Sequence, residues 1–177
     1  MITFSDAQIR IAGRVLLQGA SFAIHPGWRV GLTGANGAGK STLLRVIQGS
    51  VQLDTGEMTL PGHWVKAEVE QEIAGYAGAL IDYVLDGDTR FRDAERLVSQ
   101  AQAANDGERL AKYMAQFQDI GGYEATSKAG KLLSGLGFKT EQHNTALSSF
   151  SGGWQVRAAL ARALMCQSDL LLLDEPT

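Results

Sequence analysis

The sequence predicts an α/β fold: an antiparallel β region at the N-terminus, a parallel core sheet, and a helical subdomain inserted into it. Three observations carry that reading. Gly34 to Thr42 reads Gly-Ala-Asn-Gly-Ala-Gly-Lys-Ser-Thr, a glycine-rich loop between a short β-type run and a helical one. Leu170 to Leu173 is four leucines running into Asp174-Glu175, as in a parallel strand buried on both faces. From about Ala79 onward, apolar residues recur at helical spacing.

Size and composition bound the rest. The chain has 177 residues, enough for one domain with a sizeable core. Hydrophobic residues make up 45% and charged residues 20%, the balance of a globular protein in water. The net charge of -3 gives no global basic footprint for nucleic acid. One cysteine, Cys166, excludes an internal disulfide and fits a reducing compartment. No apolar run approaches the roughly 18–20 residues that span a bilayer. The N-terminus has no signal-type pattern, so the expected location is cytoplasmic.

Element by element, Ile2–Ile11 and Val15–His25 are β-rich, separated by a turn at Ala12-Gly13-Arg14. Pro26-Gly27 makes a second turn. Arg29–Thr33 reads as a short strand leading into Gly34, and Ser41–Gln48 as a helix closed by Gly49. Glu57–Leu60 and Trp64–Val69 read as strands around Pro61-Gly62. Phe91, Ala94, Val98 and Ala101 share one helix face, and Leu110, Tyr113, Met114 and Phe117 another. Asn105-Asp106-Gly107 between them predicts an antiparallel helical hairpin near residues 89–120. A further helix runs through Ala125, Ala129, Leu132 and Leu133. The last, Gly153–Cys166, places Val156, Ala159, Leu160, Ala163 and Leu164 on one stripe.

The chemistry lies in the loop and the acidic strand tip. Gly34, Ala35, Asn36, Gly37, Ala38 and Gly39 let backbone N–H groups converge on phosphate oxygens, and the following helix N-terminus adds its positive dipole end. Lys40 would reach the β- and γ-phosphates, Ser41 would ligand Mg²⁺, and Thr42 would contact an inner phosphate. Asp174 would hold Mg²⁺ through its water shell, and Glu175 would serve as general base for the attacking water. The expected ligands are therefore a nucleotide's phosphates and Mg²⁺; the resemblance given next implies ATP.

Phe150-Ser151-Gly152-Gly153-Trp154 precedes the last helix, with Ser151 placed to cap it. The order of phosphate loop, Gln71, helical stretch, Ser-Gly-Gly and Leu-Leu-Leu-Leu-Asp-Glu-Pro-Thr resembles the ATP-binding cassette (ABC) family over essentially the whole chain. The resemblance implies a P-loop NTPase cassette fold. Residues 1–73 and 150–177 would form its nucleotide-binding core and 74–149 its helical subdomain. It also implies that Ser151, Gly152 and Gly153 touch the ATP of a second cassette, and that Gln71 meets Mg²⁺ or the attacking water. Further strands and a switch histidine would follow Asp174-Glu175. The chain thus reads as a cassette cut short there, with little or no turnover expected of it alone.

The 80 positions from Gln71 to Ser151, the Leu132–Phe138 run and the Trp after Gly-Gly resemble the ABC-F branch. Its members pair two cassettes in one chain and act on ribosomes, and this chain resembles the first of the two. The 89–120 hairpin would be that branch's extra arm. The stretch from Asp82 to Asp119, which includes most of the arm, carries five basic and eight acidic residues, so a ribosome partner is implied by resemblance and not by charge. Two other readings stay open: the ATPase subunit of a transporter, and a non-catalytic nucleotide-binding fragment.

The family stacks an aromatic ring on adenine where this chain has Ile11, which predicts weak discrimination between ATP and GTP. Trp64 is expected in a strand, in the core. Cys166 is expected to be inert. His25, His63 and His143 show no metal-ligand spacing.

Overall fold

The computed structural model describes residues 1–69, 73 and 75–174. They fall into two compact units, Met1–Lys66 and Ala67–Thr177.

In the first unit, β1 (Ile2–Ile11) and β2 (Arg14–Ile24) form an antiparallel hairpin, and β3 (Thr55–Thr59) pairs with the other edge of β1. The hairpin turns on Ala12 (φ 49°) and Gly13 (φ 80°), bringing Ile11 opposite Arg14. Positive φ at both central residues matches the turn to the right-handed twist of the strands. The buried side chains of β1 change parity, from Ile2 and Phe4 to Ala7 and Ile9. A register break between Phe4 and Ala7, with Asp6 at φ 47°, accounts for this. One extra residue flips which face the following side chains occupy. The displaced Asp6 N–H is satisfied by Ser21 Oγ at 2.9 Å.

Helix α1 (Lys40–Gln48) starts at the glycine loop and ends at Gly49, whose N–H donates to the Arg45 and Val46 carbonyls. The expected strand over Arg29–Thr33 does not form. The described sheets are β2-β1-β3 and a second pair, and neither reaches this segment. Val30 and Leu32 remain exposed. A strand is defined by a neighbour's hydrogen bonds, and apolar composition alone cannot supply one.

The second unit holds a two-stranded sheet of β4 (Lys66–Glu68), whose first residue closes the first unit, and β5 (Leu170–Leu172). The Val69 N–H donates to the Leu172 carbonyl at 3.4 Å. Its helices are α2 (Leu80–Leu85), α3 (Thr89–Ala103), α4 (Gly107–Asp119), α5 (Ala125–Gly135) and α6 (Gly152–Met165). The hairpin is α3 and α4. Asp88 caps α3 by accepting from the Phe91 N–H at 3.1 Å, and Asp106 caps α4 by accepting from Arg109 at 3.0 Å. Leu80, Tyr83 and Val84 of α2 pack with Ala129 and Leu133 of α5 and with Ala158, Ala161 and Met165 of α6.

Helix α6 corrects the expected single stripe. Ala158, Ala161 and Met165 face the larger core, while Ala159 and Ala163 join Ala67 and Val69 in a smaller one. Leu164 is exposed. Small side chains on two faces let the helix lie between two packed surfaces, which no one-sided pattern reveals. Trp64 lies outside any strand and is half-buried. The leucine run is also less enclosed than expected: Leu172 is buried, Leu170 and Leu171 are half-buried, and Leu173 is exposed. Among the described residues β5 has one neighbouring strand, so burial on both faces is not reached.

Candidate functional site

The glycine loop of the first unit is built around close approach. Gly39 has φ 101°, and a Cβ there would lie 3.0 Å from Leu16 Cβ on β2. Only glycine meets both demands. The turn closes with the Ala38 N–H donating to the Ala35 carbonyl at 3.1 Å, and the first helical bond runs from Leu43 N–H to the Gly39 carbonyl at 2.9 Å. Lys40 Nζ donates to the carbonyls of Gly34 (3.0 Å) and Ala35 (3.2 Å), bracing the loop from within. The α1 N-terminus has no acidic residue in its first turn. Its N–H groups therefore present partial positive charge that the helix's own first turn does not offset with a carboxylate. Residues 34–38 are exposed, and Lys40, Ser41 and Thr42 are half-buried at the helix start. All nine loop residues thus come together around one helix N-terminus, an arrangement that accepts a polyphosphate.

In the second unit, Ser151 occupies the N-cap position of α6. Its carbonyl accepts from the Trp154 and Gln155 N–H groups, each at 2.9 Å. Its side chain makes no capping bond, contrary to expectation. The helix is closed by backbone instead, so Oγ is not committed to it. Ser151, Gly152 and Gly153 are exposed. Behind them stands an aromatic cluster. Phe138 is 4.8 Å from Trp154 and 5.6 Å from Phe150, ring centre to ring centre. Arg157 lies over Trp154 at 4.7 Å, and Gln155 Nε2 donates to the Phe150 carbonyl at 2.9 Å. The turn is exposed in front and held from behind.

Asp174 is half-buried and follows β5 after Leu173. Gln71 and Glu175 lie outside the described residues. Among the described residues no cluster of three or more His, Cys, Asp or Glu could hold a metal ion by itself. Ser41 in the first unit and Asp174 in the second are each, taken separately, an oxygen donor of the kind magnesium takes beside substrate phosphates. That chemistry fits an ion arriving with a nucleotide.

Sequence reasoning missed a polar cluster in the second unit. Tyr76 Oη donates to Asp86 Oδ2 at 3.0 Å, and Arg92 Nε donates to Asp86 Oδ1 at 2.7 Å. Burial, then the Asp86 bond and the charges of Asp86 and Asp82, push the Tyr76 phenol up to about 12. Of the cluster's contacts, the Arg92–Glu95 pair has a local helical spacing, i,i+3. Burial also raises the Cys166 thiol, with the Asp88 charge adding to it.

The sequence profile described as "ABC transporter" matches residues 17–177. The Escherichia coli (strain K12) protein named Probable ATP-binding protein YheS is 47% identical over 177 residues, covering 100% of this chain and 28% of that protein. ATP-binding cassette sub-family F member 3 of Mus musculus is 38% identical over 184 residues, covering 99% of this chain and 25% of that protein. The chain thus spans about a quarter of the length of these relatives. A solved inward-facing metal-chelate type ABC transporter superposes with a TM-score of 0.65 at 21% identity, covering 99% of this chain and 60% of that one. At that identity the likeness concerns the fold alone. Among the described residues no helix is long and apolar enough to cross a membrane.

Proposed function

Because this chain belongs to the ATP-binding cassette family, in its ABC-F branch, we propose that it binds MgATP on the 34–42 loop as one cassette of a translation-associated ATPase. The observation that carries this is the convergence of exposed loop amides, an α1 N-terminus without acidic residues, and Lys40 on one small surface. On binding, Lys40 exchanges the Gly34 and Ala35 carbonyls for β- and γ-phosphate oxygens, a stronger charge-assisted pairing. Backbone N–H groups of the loop other than that of Ala38, which the Ala35–Ala38 turn already uses, would hold the remaining oxygens, with Gly39 and that turn setting the loop.

Magnesium would be held by Ser41 and, through water, by Asp174 and Gln71, and supplies charge neutralisation on the phosphates. Glu175 would take a proton from the attacking water as that water adds to the γ-phosphorus and the bond to the bridging oxygen breaks, releasing ADP. Ser151, Gly152 and Gly153 would meet the γ-phosphate held by a second cassette. Their exposure and the uncommitted Ser151 hydroxyl support that role. Ile11, exposed beside the hairpin turn, would give the base an aliphatic contact without ring stacking. ATP and GTP are then expected to compete with similar affinity. Ribosome engagement rests on the branch, since the hairpin carries five basic and five acidic residues and so no net positive charge.

Steady-state phosphate release by the purified chain tests the paired-cassette requirement. Turnover should be very slow. Brisk hydrolysis that Glu175→Gln abolishes would show that no second cassette is needed. Cosedimentation of the proposed two-cassette protein with large ribosomal subunits, with and without ATP, tests the translation role. Association that never changes with nucleotide would end it.

A further inference from the structure

Tyr76 stands where three parts of the helical unit meet. Its hydroxyl donates to Asp86, just past the end of α2. The other oxygen of that carboxylate takes Arg92, in the first turn of α3. The rest of the guanidinium is committed as well: Nη1 donates to Glu95 at 2.7 Å, and Nη2 to the backbone and side-chain oxygens of Asp82 at 3.1 and 3.2 Å. This fork pins the base of the hairpin to α2. On its other side the Tyr76 ring stands edge-on to the buried Tyr83, 5.0 Å between centres. Tyr83 in turn carries the Arg162 guanidinium of α6 at 4.8 Å. Helix α6 is the one that opens on the Ser151–Gly153 turn.

We propose that Tyr76 is a positioning residue, which ties the angle of the α3–α4 hairpin to the seat of α6 and so passes a shift of the Ser151–Gly153 turn to the hairpin tip. The inference rests on the reading that the protein takes up ATP. A planar guanidinium holding three carboxylates has few alternative arrangements, so its orientation follows the groups it binds. The phenol hydroxyl joins that fork to the ring contacts below it. Removing the hydroxyl leaves the ring packing in place and cuts only this link. The second unit contains every residue of the path, which is short and contiguous, as transmitted coupling requires.

Spin labels at the exposed positions Ala103, at the end of α3, and Leu164, on α6, read the coupling in a protein that joins this cassette, bearing Cys166→Ser and no other cysteine, to the second cassette whose ATP the Ser151–Gly153 turn would meet. ATP affinity is measured on the same samples. ATP with magnesium should shift the inter-label distance when Tyr76 is present. Tyr76→Phe should lose the shift while its melting temperature stays close to that of the parent. Arg92→Lys, which cannot fork, should lose it too. Retention of the shift in either variant overturns the proposal, and so does a parent protein that binds ATP with no shift. A parent that binds no ATP overturns the phosphate-loop reading, and the relay with it.

Discussion

Leu16 on β2 stands directly against Gly39 at the mouth of α1, so close that a Cβ on Gly39 would lie 3.0 Å from the leucine Cβ. The hairpin and the phosphate loop are thereby one packed object. Gly39→Ala adds both that clash and the cost of φ 101°, together roughly 1–3 kcal/mol of stability. Nucleotide affinity should fall with it. Adding Leu16→Ala to Gly39→Ala removes only the contacts with Cδ1 at 3.3 Å and Cγ at 3.5 Å, while the alanine Cβ and the backbone strain remain, so urea denaturation should show little recovery.

Tyr76 gives a titration with a definite sign. Its phenol is raised from 10.0 to about 12, by burial first and by the Asp86 bond second. The folded state holds that proton when the unfolded chain would release it. The stabilising contribution is therefore complete below about pH 10 and is lost as pH rises through about 12. Ultraviolet titration of the folded protein should show a late-ionising step that Tyr76→Phe removes. In Asp86→Ala that step should move down, though not fully, because burial remains.

Trp154 should matter for stability through its ring. It packs on Phe138 at 4.8 Å and lies under Arg157. Trp154→Ala is expected to cost about 2 kcal/mol, below the full-core value because the residue is half-buried. Trp154→Phe should recover most of that in thermal melts, since a ring remains against Phe138.

Cys166 should be a slow thiol. Burial raises it above its ordinary value, and the thiolate is the reactive form. Reaction with a disulfide reagent at pH 8 should run well below the rate of free cysteine. It should speed up on unfolding in guanidinium.

The sequence made legible whatever depends on local pattern. The two long strands were placed within a residue or so of their observed bounds, and the helical hairpin was found through Asn105-Asp106-Gly107. The glycine loop and the start of α6 were read from spacing. What failed depended on partners. Val30 and Leu32 look like strand residues, but a strand needs a ladder. The α6 stripe was misread because Ala158 and Ala161 bury a second face that hydrophobicity alone does not mark. The six residues of α2 are too few to show a period, yet Leu80, Tyr83 and Val84 lie at the centre of the larger core. Asp86 could not be tied to Tyr76 from sequence, since ten positions and a turn separate them.

The central claim is that the 34–42 loop takes the phosphates of ATP, and titration of the protein with MgATP, set against Lys40→Ala, tests it most directly. Replacing one charge-assisted phosphate contact, worth about 1.5–3 kcal/mol, should weaken binding roughly tenfold to a hundredfold. The helical signal in circular dichroism should be unchanged. Equal affinity in the two proteins would mean that nucleotide, if bound, sits elsewhere.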